Sequence, residues 1–164
     1  TQASPGYLMI VWSLLINMLV VGLCVLLHYE VLYQLSSAIK DLQIKPRLKL
    51  VVGVFGALAA HAAEVWVFAV AYHGMVKSGL FGVLEGNYGG ALLDELGGIA
   101  NLQHVTLFDT VYLSATTYTT LGIGDIVPIG NIRFLVGIES LVGLVMITWS
   151  ASFLYYEMQK NWKV

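Results

Sequence analysis

Five consecutive residues, Thr120-Leu121-Gly122-Ile123-Gly124, offer the most specific chemistry in this sequence. Glycines at alternate positions free the backbone, so that successive carbonyls can turn to one side. If four copies of the segment surround an axis, their carbonyls stack as rings. Such rings can replace the hydration shell of a potassium ion. A second group is the pair His61 and Glu64, three residues apart and therefore on one face of a helix. An ionisable pair inside an apolar helix reads either as a proton sensor or as a hydrogen-bonded contact gluing helices together, with Asn17 as a possible partner.

The surrounding chain must hold these groups in a membrane. Of 164 residues, 58% are hydrophobic and only 11% charged, with a mean hydropathy of +0.79. A soluble domain carries about 25% charge. That shortage excludes a disordered chain and an ordinary globular enzyme, and a net charge of -2 excludes a nucleic-acid partner. The single cysteine, Cys24, excludes an intrachain disulfide framework. Three stretches, Tyr7 to Leu27, Val51 to Tyr72 and Phe134 to Tyr156, are each long enough to cross about 30 Å of hydrocarbon as a helix. Val105 to Tyr118 is apolar but too short, and the glycine-spaced segment follows it directly. Non-helical backbone at membrane depth is tolerated only inside protein or along water, so this part should dip in and return on the same side.

Lys40, Lys45, Arg47, Lys49, Lys160 and Lys163 fall on one side, which the positive-inside rule makes cytoplasmic. The amino terminus is then outside, the carboxyl terminus inside, and the re-entrant segment opens outward. Leu32, Leu35, Ile39 and Leu42 recur at helical spacing before Pro46. They predict an amphipathic helix along the inner surface, or alternatively the first helix running on into the cytoplasm. The glycine-rich stretch from Lys77 to His104 reads as a loop with a short helical piece at 91–96. The organisation expected is an extra helix at 1–29, a cytoplasmic amphipathic linker at 30–49 and a pore domain at 50–164.

Thr116 to Pro128, reading TTYTTLGIGDIVP, closely resembles the pore signature of the tetrameric potassium channels. An outer helix, loop, pore helix, filter and inner helix follow in that family's order, and only the first span falls outside the resemblance. The resemblance implies an all-α membrane protein of three transmembrane helices plus a re-entrant pore helix and filter, assembled as a homotetramer. It implies passive potassium conduction through the carbonyls of Thr120, Leu121, Gly122 and Ile123, with Gly124 at the outer entrance. Thr116, Asp125 and Tyr112 would support the filter, through a Tyr112–Asp125 hydrogen bond. Arg133, Glu139 and Gly143 match the family's outer-mouth arginine, inner-helix acid and hinge glycine. The usual filter tyrosine is Ile123 here, so a weakly selective cation channel is the alternative.

Leu144, Ile147, Ala151 and Tyr155 share one face of the last helix and should line the lower pore, where an apolar constriction can gate by dewetting. Gly143 serves either as a hinge or as a site of close packing. Glu139 is expected to brace the pore helix. Glu85, Asp94, Glu95, Asp109 and Asp125 gather near the outer mouth, an acidic excess that concentrates cations. No span carries regularly spaced arginines, and few residues follow the last span, so neither a voltage sensor nor an attached ligand-binding domain is expected.

The rivals are a non-conducting membrane subunit and a haem-binding membrane protein. For the latter, His61 and His73 sit about 120° apart around a helix, which suits a shared site poorly. No HExxH pattern marks a metalloprotease. The partners expected are further copies of the chain and membrane lipids, in a prokaryotic inner or plasma membrane. Potassium is the conducted ion, no organic cofactor is implied, and any accessory subunit is unspecified.

Overall fold

The computed structural model describes residues 5–86 and 105–161. Three helices in it are long and apolar enough to cross a membrane. The first, α1, runs unbroken over Pro5–Asp41. Its 37 residues make it about 55 Å long at 1.5 Å per residue, well beyond the hydrocarbon thickness. Residues 42–45 turn the chain into α2, Pro46–Ser78, where Pro46 sits in the first turn, the position a missing N–H does not harm. Gly79 closes α2 in the left-handed conformation, its N–H bonded to the Val76 carbonyl at 3.0 Å.

Of the two readings the sequence leaves open for this stretch, residues 30–41 follow the second, the first helix running on. No breaker separates residues 28 and 41, and the apolar side of this stretch has a protein partner. Leu32 and Ile39 are buried, and Leu35 lies so close to Gly56 of α2 that a Cβ there would meet it at 2.6 Å. Packing against α2 and α4, rather than a membrane surface, takes up the stripe.

After α2 the chain forms β1, Gly82–Gly86, which pairs antiparallel with β2, Ile126–Gly130, in the register Gly82↔Gly130 to Gly86↔Ile126. The sequence reading missed this ribbon. The short helix expected at 91–96, with Asp94 and Glu95, lies outside the described residues. Next comes α3, Leu107–Tyr118, and after β2 the last helix, α4, Ile132–Asn161. The Ile132 N–H bonds the Phe81 carbonyl at 3.0 Å, tying the start of α4 to the ribbon.

The core forms around α3. Phe68, Tyr72 and Met75 of α2, Leu113 and Tyr118 of α3, and Leu135, Val142 and Met146 of α4 are buried together. On α1, Ser13, Asn17, Val20, Cys24, His28 and Leu32 face inward at steps of three and four. The opposite side of α1 exposes Met18 at 78% and Leu19 at 72%. Water would penalise such a face heavily; hydrocarbon does not.

Candidate pore segment and its supports

The start of α3 is set by a reciprocal cap. The Thr106 hydroxyl accepts from the Asp109 N–H at 3.2 Å, and the Asp109 carboxylate accepts from the Thr106 N–H at 2.8 Å. Asp109 therefore caps a helix, a more specific duty than the free rim acid expected of it. The far end of α3 delivers the chain into residues 119–125. There the Thr120 N–H bonds the Thr117 carbonyl at 2.9 Å, and the Gly122 N–H bonds the Thr116 carbonyl at 3.0 Å. The Thr116 hydroxyl bonds back into its own helix, donating to the carbonyls of Tyr112 and Leu113.

The backbone of this segment alternates in hand. Thr120, Gly122 and Gly124 have φ of 59°, 55° and 81°, while Leu121 and Ile123 between them do not share the positive sign. For glycine this is free; for β-branched Thr120 it is an outlier costing on the order of 1–3 kcal/mol. All five residues, Thr120 to Gly124, are exposed in the single chain, Leu121 at 66% and Ile123 at 57%. Asp125 follows, accepting from the Ile126 N–H at 3.1 Å. Tyr112 on α3 lies near the Asp125 carboxylate.

Two buried carboxylates fasten α3 to the longer helices. Glu139 on α4 accepts from the hydroxyls of Ser114 on α3 and Tyr72 on α2, and the Ser114 hydroxyl also reaches the Val65 carbonyl at 2.9 Å. Glu64 on α2 accepts from the Tyr118 hydroxyl at the last residue of α3. Its other oxygen meets His28 Nδ1 at 2.7 Å, and its first lies 3.3 Å from His61 Nδ1. His61 Nδ1 is also 2.9 Å from the Tyr118 hydroxyl, and His28 Nε2 is 3.3 Å from Ser150 on α4. So His61 and Glu64 do face one way, but their partner on α1 is His28. Asn17 is buried elsewhere, with neither side-chain polar atom bonded, which corrects the expected pairing. His28, Tyr118, Ser150, Tyr72 and Ser114 were not singled out in the sequence, because only contact between distant helices gives them a role.

On α4, Gly143 sits against the end of α3. A Cβ there would lie 2.1 Å from the Tyr118 carbonyl oxygen, so only glycine permits this approach. Leu144, Ile147, Ala151 and Tyr155 are exposed along one face of the same helix. Ile147 and Ala151 line a cavity of about 500 Å³ that His61, Tyr118 and Thr119 close from the other side. Arg133 is exposed at the start of α4.

A family model described as "Ion channel" matches residues 52–160, from the second residue-turn of α2 to the end of α4. The chain belongs to this ion channel family. No curated protein and no solved structure matches it. Two of the three apolar helices, α2 and α4, fall within the matched segment. Helix α1 lies outside the matched segment, yet this channel draws His28 from it into the Glu64 cluster.

Proposed function

We propose that four copies of this channel surround one axis and let potassium ions pass passively along the carbonyls of Thr120, Leu121, Gly122 and Ile123. The observation that carries this reading is the alternating hand of the backbone at Thr120, Gly122 and Gly124 in an exposed segment that follows α3 directly. Alternation of this kind lets successive carbonyls turn to one side, where a β-strand would point them alternately. A threonine held in left-handed φ by two backbone hydrogen bonds to α3 is local strain that the surroundings maintain, a feature that clusters at functional sites. The C-terminal end of α3 adds a partial charge of about -0.5 beside the segment, which favours a cation. Exposure of Leu121 and Ile123 is what a segment awaiting neighbouring copies shows, and the exposed face of Leu144, Ile147, Ala151 and Tyr155 continues the path below it.

In this arrangement α1 stands at the rim, the amino terminus outside and the carboxyl terminus in the cytoplasm of a prokaryotic cell. Asp125 and Tyr112 stiffen the outer end of the carbonyl column, and Glu139 and Glu64 hold α3 at its middle and at its end. A second reading, a weakly selective monovalent cation channel, is favoured by one observation: Ile123 has an aliphatic side chain, so nothing on it can hydrogen-bond to α3. Reversal potentials of purified protein in planar bilayers, with potassium on one side and sodium on the other, separate the two. The first reading expects a potassium preference of at least tenfold. A ratio near unity replaces it with the second, and no current from correctly assembled protein removes both.

A further inference from the structure

The Glu64 cluster contains more than a hydrogen-bonded brace requires. A ring nitrogen of His28, one of His61 and a carboxylate oxygen of Glu64 lie within 4.8 Å of one another, contributed by two different helices, and Nδ1 is the nitrogen each imidazole turns to Glu64. His28 and Glu64 are fully buried, and His61 is the member that reaches the cavity wall. Two imidazoles and one carboxylate, with the Tyr118 hydroxyl beside them, form a set suited to zinc. Bonds of about 2.0–2.2 Å in tetrahedral geometry place neighbouring ligand atoms roughly 3.3 Å apart. One Glu64 oxygen stands 2.7 Å from His28 Nδ1 and the other 3.3 Å from His61 Nδ1, so modest side-chain shifts would open the set around an ion.

We propose that His28, His61 and Glu64 bind a divalent transition-metal ion, with Zn²⁺ the best match, and that Tyr118 couples its occupancy to the Thr120–Gly124 segment. Imidazole donors exclude calcium and magnesium, which take oxygen ligands. Ser150 holds His28 Nε2 at 3.3 Å, the outer contact that fixes a ligating imidazole and aims its other nitrogen at the metal. The cavity beside His61 and Tyr118 supplies the way in. On binding, each imidazole must present an unprotonated Nδ1, so a proton held there moves to Nε2, where Ser150 can accept the hydrogen bond from His28, and any second proton on a ring leaves to solvent. Tyr118 then loses Glu64 and His61 as partners or becomes the fourth ligand. Either change acts two residues before Thr120. This coupling rests on the conduction reading above; the metal site itself does not.

The test uses the purified full-length protein in detergent, stripped by chelator and then titrated with ZnCl₂ or CoCl₂. One ion per chain is expected, with Co²⁺ giving the intense visible bands of four-coordination. His28→Gln and His61→Gln should each weaken binding at least tenfold, and His73→Gln, outside the cluster, should not. No binding by the wild type, equal binding by both cluster variants, or only the pale spectrum of hydrated Co²⁺ overturns the site; the spectrum needs no variant to fold. In potassium-loaded vesicles Zn²⁺ should change flux several-fold in the wild type and less in Tyr118→Phe. Zinc that binds without altering a measurable flux overturns the coupling. Flux absent at every zinc concentration contradicts conduction while the titration still decides the site.

Discussion

Two buried glutamates secure the same short helix, and they do so differently. Glu139 takes hydroxyl donors from Ser114 and Tyr72, groups that change neither charge nor ligand at ordinary pH. Glu64 takes a hydroxyl from Tyr118 and two imidazoles, and one of those, His61, faces a cavity. The first is a closed contact at the middle of α3. The second is an adjustable contact at its end, beside the segment with alternating backbone. The contrast teaches that a single helix can be anchored rigidly at one point and left responsive at another, with only the donor chemistry differing.

Substitutions should separate the two anchors in a graded way. The largest effect expected is from Glu139→Ala, which leaves the buried Tyr72 hydroxyl without its acceptor, Ser114 with only the Val65 carbonyl, and a cavity between them; a loss of about 2–5 kcal/mol should appear as a large drop in the unfolding midpoint in detergent. Glu64→Ala should cost about 1–3 kcal/mol, because water can enter from the cavity and satisfy what remains. If the two cost the same, the distinction between closed and open anchors is wrong. Gly143→Ala should come next, with about 1–3 kcal/mol of overpacking against the Tyr118 carbonyl and altered conduction, read by thermal unfolding and bilayer recording.

The paired tyrosines give the sharpest comparison. Tyr72→Phe and Tyr118→Phe each remove one hydrogen bond to a carboxylate, worth about 1.5–3 kcal/mol. Only Tyr118→Phe should change open probability, since only Tyr118 adjoins the proposed conduction segment. Equal effects on current would erase the difference between the sites. The smallest change expected is Tyr112→Phe, within about 0.5 kcal/mol in stability at its partly exposed position. It should nonetheless shift the potassium-to-sodium ratio if Tyr112 steadies Asp125.

Much of this arrangement is legible in the sequence, for identifiable reasons. Long apolar runs mark the three spans because hydrocarbon sets a length, and Gly122 and Gly124 mark the end of α3 because glycine tolerates positive φ. Thr106 and Asp109 carry the spacing of a reciprocal cap, a readable signal that competes with the reading of Asp109 as rim charge. The ribbon of β1 and β2 was missed because each strand has five residues. The β-branched run Ile126-Val127-Pro128-Ile129 was its one local trace. His28 was out of reach for a different cause. Its partner Glu64 is 36 residues away, and no periodicity within one helix reveals what another helix brings against it. Thr120 likewise gives no sign in its own residue type of a left-handed φ; the hydrogen bonds to α3 impose it.

The most direct measurement is diffraction from the assembled channel crystallised with thallium, a monovalent, potassium-like ion with a strong anomalous signal. The account predicts a column of anomalous peaks on a fourfold axis, each ringed by main-chain oxygens from Thr120, Leu121, Gly122 and Ile123. A monomer, or an axis free of peaks with those oxygens turned toward lipid or bulk water, would contradict it.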